Sequence, residues 1–193
     1  MLMELILATT NSHKLAEIRK MLSDGFKISS LTDVNFDEEI IEDGISFEEN
    51  AMIKARAVHR FTGKNCFADD SGLVVDALNG EPGIYSARYA GPDASDGDNL
   101  QKVLSKMSGR TERTARFVAA IALIINGEEH IFSGVVEGKL AEKAAGSNGF
   151  GYDPAFIPDG YDLTFGQLPS TVKQKLSHRA RAVDAMKQFL LNR

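Results

Sequence analysis

The chain has 193 residues, of which 43% are hydrophobic and 25% charged, and its net charge is −5. That length buries roughly 70% of the surface an unfolded chain exposes, so a substantial core is expected in one domain, or one domain with two lobes, and the acidic balance excludes a broad nucleic-acid-binding face. A single cysteine, Cys66, excludes an internal disulfide framework and a cysteine-rich zinc site, and points to a reducing compartment.

The chain opens with MLMELILATT. This run has no basic segment, carries Glu4, and is too short for a secretory signal. No stretch approaches the ~18 apolar residues of a membrane helix, so a cytoplasmic protein with no membrane partner is expected. Residues 3–9 read as a buried strand. Leu15, Ile18 and Leu22 then recur at helical spacing, with Thr10 or Asn11 as the N-cap. A strand thus feeds a helix N-terminus, whose free N–H groups and dipole favour phosphate. Lys14, one turn in, adds a full positive charge.

Residues 26–31 predict a second strand. Residues 33–45 hold six acidic side chains and lead to Gly44 and Ile45. Ser46 followed three residues later by Glu49 is a capping-box pattern, which opens a helix running to about residue 61. Residues 65–69 and 73–78 read as strands split by a turn at Asp69–Gly72, because Asp, Ser and Gly are turn formers. A helix is expected over 95–107, starting at Ser95. Two β-rich runs around Asn126-Gly127 predict a hairpin over 116–140. GSNGFGYDP, 146–154, is too glycine-rich for regular structure, and an amphipathic helix is expected over 177–191.

The most informative stretch is ADDSGLVVDALNGEPGIYSARYAG, residues 68–91. Adjacent like charges repel and favour their neutral forms. A divalent cation resolves that conflict, and hard carboxylate oxygens suit magnesium. Asp69 and Asp70 therefore suggest a magnesium site beside a substrate loop.

Five segments now stand in order: TTNSHK (9–14), SFEENAMIKA (46–55), the 68–91 block, FGYDPAF (150–156) and SHR (177–179). In this order and at these spacings they closely resemble the inosine/xanthosine triphosphate pyrophosphatases, the Ham1 or RdgB-like nucleotidases. The resemblance covers essentially the whole chain. It implies an elongated mixed-sheet α/β fold with two lobes around a cleft, and a homodimer. It implies magnesium-dependent hydrolysis of noncanonical purine nucleoside triphosphates (ITP, dITP, XTP) to the monophosphate and pyrophosphate. Two positions depart from the family pattern. Thr10 stands where many members have glycine, and would be strained if the backbone there were left-handed. Thr171-Val172 stands where many have acidic residues.

The resemblance also assigns roles. Asp70 becomes the catalytic acid/base and a magnesium ligand, with Asp69 supporting it. Glu42 becomes the second ligand, while Asp37, Glu38 and Glu39 read as a solvated acidic loop. Thr9, Thr10, Asn11, Ser12, His13 and Lys14 would line the phosphate tail, with Lys54, Lys173 and Ser71 also binding substrate. Phe150, Gly151, Tyr152 and Asp153 would form the base pocket, where stacking on an aromatic is worth ~1–3 kcal/mol. His178 and Arg179 would read the base. A donor there suits the 6-keto group of hypoxanthine or xanthine and leaves the 6-amino group of adenine facing another donor. It does not reject guanine, which is also 6-keto.

His13, His59 and His130 lack metal-binding spacing, so His13 enters the site only through the resemblance. Cys66 has no base partner for a thiol nucleophile. No P-loop is present, and GFGYDP is not a dinucleotide-binding turn. Two other readings stay open: a phosphomonoesterase with an aspartyl nucleophile, which would release orthophosphate, and a nucleotide sensor, which would not need the carboxylate set.

Overall fold

The computed structural model describes residues 2–193. Strand β1 (Met3–Leu7) leads into helix α1 (Ser12–Met21) and strand β2 (Phe26–Ser29). Leu5, Ile6 and Leu7 are all buried, as befits a strand with a neighbour on each side. β1 runs parallel to β2, with Met3 opposite Phe26, and parallel to β3 (Cys66–Val75), with Ile6 opposite Cys66. Helix α2 (Phe47–Thr62) lies between β2 and β3 in sequence. Its cap, Ser46, accepts from the Glu49 N–H. Glu49, however, reaches the N–H of Ile45 instead of closing the box on Ser46.

After α3 (Asp96–Lys106), with a complete Ser95–Asp98 capping box, come β4 (Thr114–Ile125) and β5 (Glu128–Leu140). The two residues joining them have φ of 52° at Asn126 and 81° at Gly127, the left-handed pair that a tight hairpin turn requires. β6 (Phe156–Pro158) pairs antiparallel with β5, Leu140 opposite Phe156. The resulting mixed six-stranded sheet has the order β2-β1-β3-β4-β5-β6.

Two expectations need correction. β3 is a single strand, with no turn at Asp69–Gly72. A further helix, α4 (Ser170–Leu176), precedes α5 (His178–Leu191), and the extended Ser177 separates them (ψ 159°). Nothing local announces α4: no side chain caps it, and Thr171 and Val172 are poor helix formers. Val172 and Leu176 become helical by packing on a core.

The chain divides into two compact units, each assembled from separated segments. The first comprises residues up to Asp70, Ala119–Gly134 and Arg179–Arg193. Its core joins Leu5, Leu7, Ile18, Phe67, Ile121 and Met186. The second comprises Ser71–Val118 and Val135–His178, around Leu73, Val103, Met107, Phe117, Phe156 and Phe165.

Candidate active site

The continuity of β3 changes the meaning of the paired carboxylates. Successive side chains of a strand point to opposite faces, so Asp69 and Asp70 do not share a ligand as a turn would let them. Each has its own cations. Asp69 Oδ2 meets Lys14 Nζ at 2.7 Å and the Arg179 guanidinium at 3.3 Å. Arg179 also grips Glu17 at 2.6 Å. Arg179 is only 1% exposed. Burial works against its charge, but Asp69 and Glu17 outweigh that and hold its pKa above the ordinary value. The structure therefore ties Arg179 to Asp69 and Glu17 inside the first unit.

Asp70 Oδ1 accepts from Lys54 Nζ at 2.9 Å, and the same ammonium reaches Glu42 Oε2 at 2.8 Å. Burial pushes the Asp70 carboxyl above the usual carboxylate range, although Lys54 and Lys14 oppose the shift. Burial also opposes the charge of Lys54, yet Asp70 and Glu42 together keep that lysine's pKa raised. At Lys14 burial prevails and lowers the pKa, against the pull of Asp69. Asp37, Glu38 and Glu39 are exposed, whereas Glu42 is half-buried.

Asp70 Oδ2 is buried and has no hydrogen-bond partner. A buried carboxylate oxygen without a hydrogen bond is the kind of atom a hard cation coordinates. Among the described residues no group of three His, Cys, Asp or Glu forms a closed metal cage. Glu42 and Asp70 supply two carboxylates, the number magnesium commonly takes from protein, with phosphates and water completing its shell. This donor set fits a substrate-linked divalent ion.

The strand-to-helix turn is built as the sequence predicts. Asn11 caps α1 and accepts from the Lys14 N–H at 3.0 Å. Thr9 Oγ1 accepts from the Asn11 N–H at 3.2 Å. Thr10, Ser12 and His13 are exposed. Left-handed φ among non-glycine residues occurs at Asn35, Asn79 and Asn126, so Thr10 carries no such strain. The first turn of α1 holds no acidic residue, which leaves its dipole open to an anion.

The second unit gathers the FGYD residues with Lys173. Asp153, 2% exposed, accepts from the Phe150 N–H at 2.8 Å and from Lys173 Nζ at 2.6 Å. The Lys173 ammonium stands 4.5 Å from the centre of the Phe150 ring. Lys173 thus lies with Phe150 and Asp153, two of the residues expected at the base. A Cβ on Gly149 (φ 76°) would meet Asp153 Oδ2 at 1.9 Å, so glycine is required for the carboxylate to tuck under the loop. The Gly151 N–H donates to Asp96 at 2.9 Å. Tyr152 is buried, with its hydroxyl donating to the Ser86 carbonyl at 2.7 Å; it packs in the core, not on an open pocket wall. His178, also buried, stacks on Phe117 with ring centres 4.8 Å apart. Ser71, half-buried, follows Asp70 directly in β3. Burial pushes the Cys66 thiol up to about 12, and its Sγ donates to the Ala55 carbonyl, which leaves it inert.

Sequence reasoning missed two contributors, Glu17 and Asp96. Glu17 stands three residues after Lys14 on α1, so helical spacing placed both on one face. Asp96 had no signal, because its contact with Gly151 spans 55 residues.

Lysine-bridged carboxylates beside a capped phosphate-type turn, on a mixed α/β sheet, suit an enzyme that acts on phosphoric anhydrides. The chain belongs to the Ham1 family, whose model matches residues 5–189. It is 43% identical to the dITP/XTP pyrophosphatase of Flavobacterium psychrophilum, over 98% of this chain and all of that protein. It is 47% identical to the Bacillus subtilis protein of the same name, over 97% and 96% of the two chains. Among solved structures, a HAM1 protein from Coxiella burnetii superposes with a TM-score of 0.91 at 39% identity over the whole of both chains. The Staphylococcus aureus Ham1 protein gives 0.89 at 40%, over 98% of each.

Proposed function

We propose that this chain hydrolyses ITP, dITP and XTP between the α- and β-phosphates, releasing the nucleoside monophosphate and pyrophosphate. The observation that carries this reading is the Glu42–Lys54–Asp70 cluster with its unpartnered Asp70 oxygen. Glu42 and Asp70 would hold magnesium, which would supply positive charge to offset that of the phosphates. Asp70, its pKa raised by burial, takes the proton of the attacking water. Lys14 and Lys54 give their charge to the phosphates, and the N-terminus of α1 adds its free N–H groups. Asp69 keeps Lys14 in place through their 2.7 Å contact.

The second unit, taken by itself, carries groups suited to a purine base. Phe150 offers a stacking face, Lys173 and His178 offer donors to keto oxygens, and Asp153 fixes Lys173 and the loop. Donors suit hypoxanthine and xanthine and disfavour adenine. The protein works in the cytoplasm as a homodimer. A panel of nucleoside triphosphates assayed with magnesium for both pyrophosphate and orthophosphate tests the reading. Pyrophosphate from ITP and XTP, with little turnover of ATP, is the expected result; a nucleoside diphosphate with orthophosphate as first products refutes it.

A further inference from the structure

Residues 37–45 form no helix or strand, and Asp37, Glu38, Glu39, Ile41, Asp43 and Ile45 are exposed. Such a segment has little apolar burial to fix it, yet Glu42 within it must meet Lys54. The bonds that hold the segment come from α2, in reverse order along the two segments. Glu49 Oε2 accepts from the Ile45 N–H at 2.7 Å, Asn50 Oδ1 accepts from the Gly44 N–H at 2.9 Å, and Lys54 Nζ takes Glu42 at 2.8 Å.

Asn50 is the buried link of this zipper, at 1% exposure. Its Nδ2 is buried with no partner. A half-satisfied buried amide is costly, and a purely structural position would favour an apolar residue. Gly44 fits the same account: a Cβ there would lie 2.7 Å from Asn50 Oδ1 and 2.8 Å from Glu49 Cβ. The segment thus lies so close to α2 that only glycine passes.

We propose that Asn50 is a positioning residue, with Gly44 as its counterpart, that sets Glu42 beside Lys54 and Asp70 for binding a divalent cation. The inference rests on the reading of Glu42 as a metal ligand. Partners that orient a ligand rather than touch the ion typically change metal affinity by about 10–100-fold when removed.

The test is Mn2+ binding to the nucleotide-free protein, followed by the electron paramagnetic resonance of free ion, together with amide exchange at Gly44 and Ile45. Asn50→Ala is expected to expose the Gly44 amide and weaken Mn2+ binding about tenfold or more. Gly44→Ala breaks the contact from the loop side without emptying the helix, and is expected to weaken Mn2+ in the same way. Val58→Ala, which thins the buried face of α2 away from the zipper, lowers stability but leaves Mn2+ affinity unchanged. If Glu42→Gln weakens Mn2+ while both Asn50→Ala and Gly44→Ala bind it normally, the positioning role is wrong and the metal assignment stands. Should Glu42→Gln itself bind Mn2+ as tightly as wild type, the ligand assignment fails and the positioning role falls with it.

Discussion

Burial at Asp70 raises the cost of its charge, and this separates what the residue does for chemistry from what it does for folding. Asn keeps the shape and cannot take a proton. Asp70→Asn should lower kcat by at least 10²–10⁴-fold, the usual contribution of a positioned base. Its metal-free melting temperature should equal or exceed that of wild type, because a group held above its ordinary pKa is destabilising when ionised. The sign follows from linkage. The folded state binds the Asp70 proton more tightly, so this stabilisation is complete below the unfolded pKa and is lost as pH rises through the folded one. The wild-type deficit should vanish in acid and grow toward neutrality; a deficit that grows in acid would contradict the assignment. Melting curves in EDTA across this range measure it.

His178 needs a gentler substitution than alanine. Its ring lies on Phe117, and aromatic pairs contribute about 0.5–1.5 kcal/mol beyond burial. His178→Phe keeps a ring there while removing both nitrogens. If His178 reads the 6-keto oxygen, kcat/KM for ITP should fall by the ~1–3 kcal/mol of one base contact, while that for ATP changes little. Equal losses on both substrates would assign the residue to packing.

Strand β3 turns two neighbouring aspartates into different kinds of residue. Asp69 is enclosed by Lys14 and Arg179, and Arg179 is buried. Neutralising Asp69 takes one carboxylate away from the buried Arg179, and breaking a buried pair costs about 3–5 kcal/mol. Asp69→Asn should therefore unfold at clearly lower urea than Asp70→Asn, although the positions are adjacent. Equal midpoints would mean that the Asp69 network contributes little. The β4–β5 turn offers a second check at this scale. Gly127 has φ 81° and open space around a would-be Cβ. Gly127→Ala thus isolates backbone strain, about 1–2 kcal/mol, with no steric clash, read directly from denaturant unfolding.

At the scale of the molecule, assembly is the open prediction. The homodimer expected from the family resemblance has twice the 21.0 kDa of one chain. Light scattering at micromolar concentration should return that mass, and a monomer would remove the dimer from the account. The family and the element plan were legible in the sequence because their signals are local. Asn11 and Ser95 cap the helices they precede, Asn126-Gly127 turns the hairpin, and five motifs keep their order and spacing. The inventory of charged groups was equally plain, since residue type alone fixes which side chains can ligate, donate or accept. Their partnerships needed the tertiary structure. Turn propensity at Asp-Asp-Ser-Gly yielded to a strand in which each carboxylate meets its own cations, Lys14 and Arg179 at Asp69 and Lys54 at Asp70. Arg179 finds Glu17 across 162 positions, and Lys173 finds Phe150 and Asp153 only through α4, a helix formed by packing rather than by propensity. Local chemistry acts over a few residues and can be read along the chain. Burial and ion pairing act through space, so the fold alone decided which lysine each carboxylate meets.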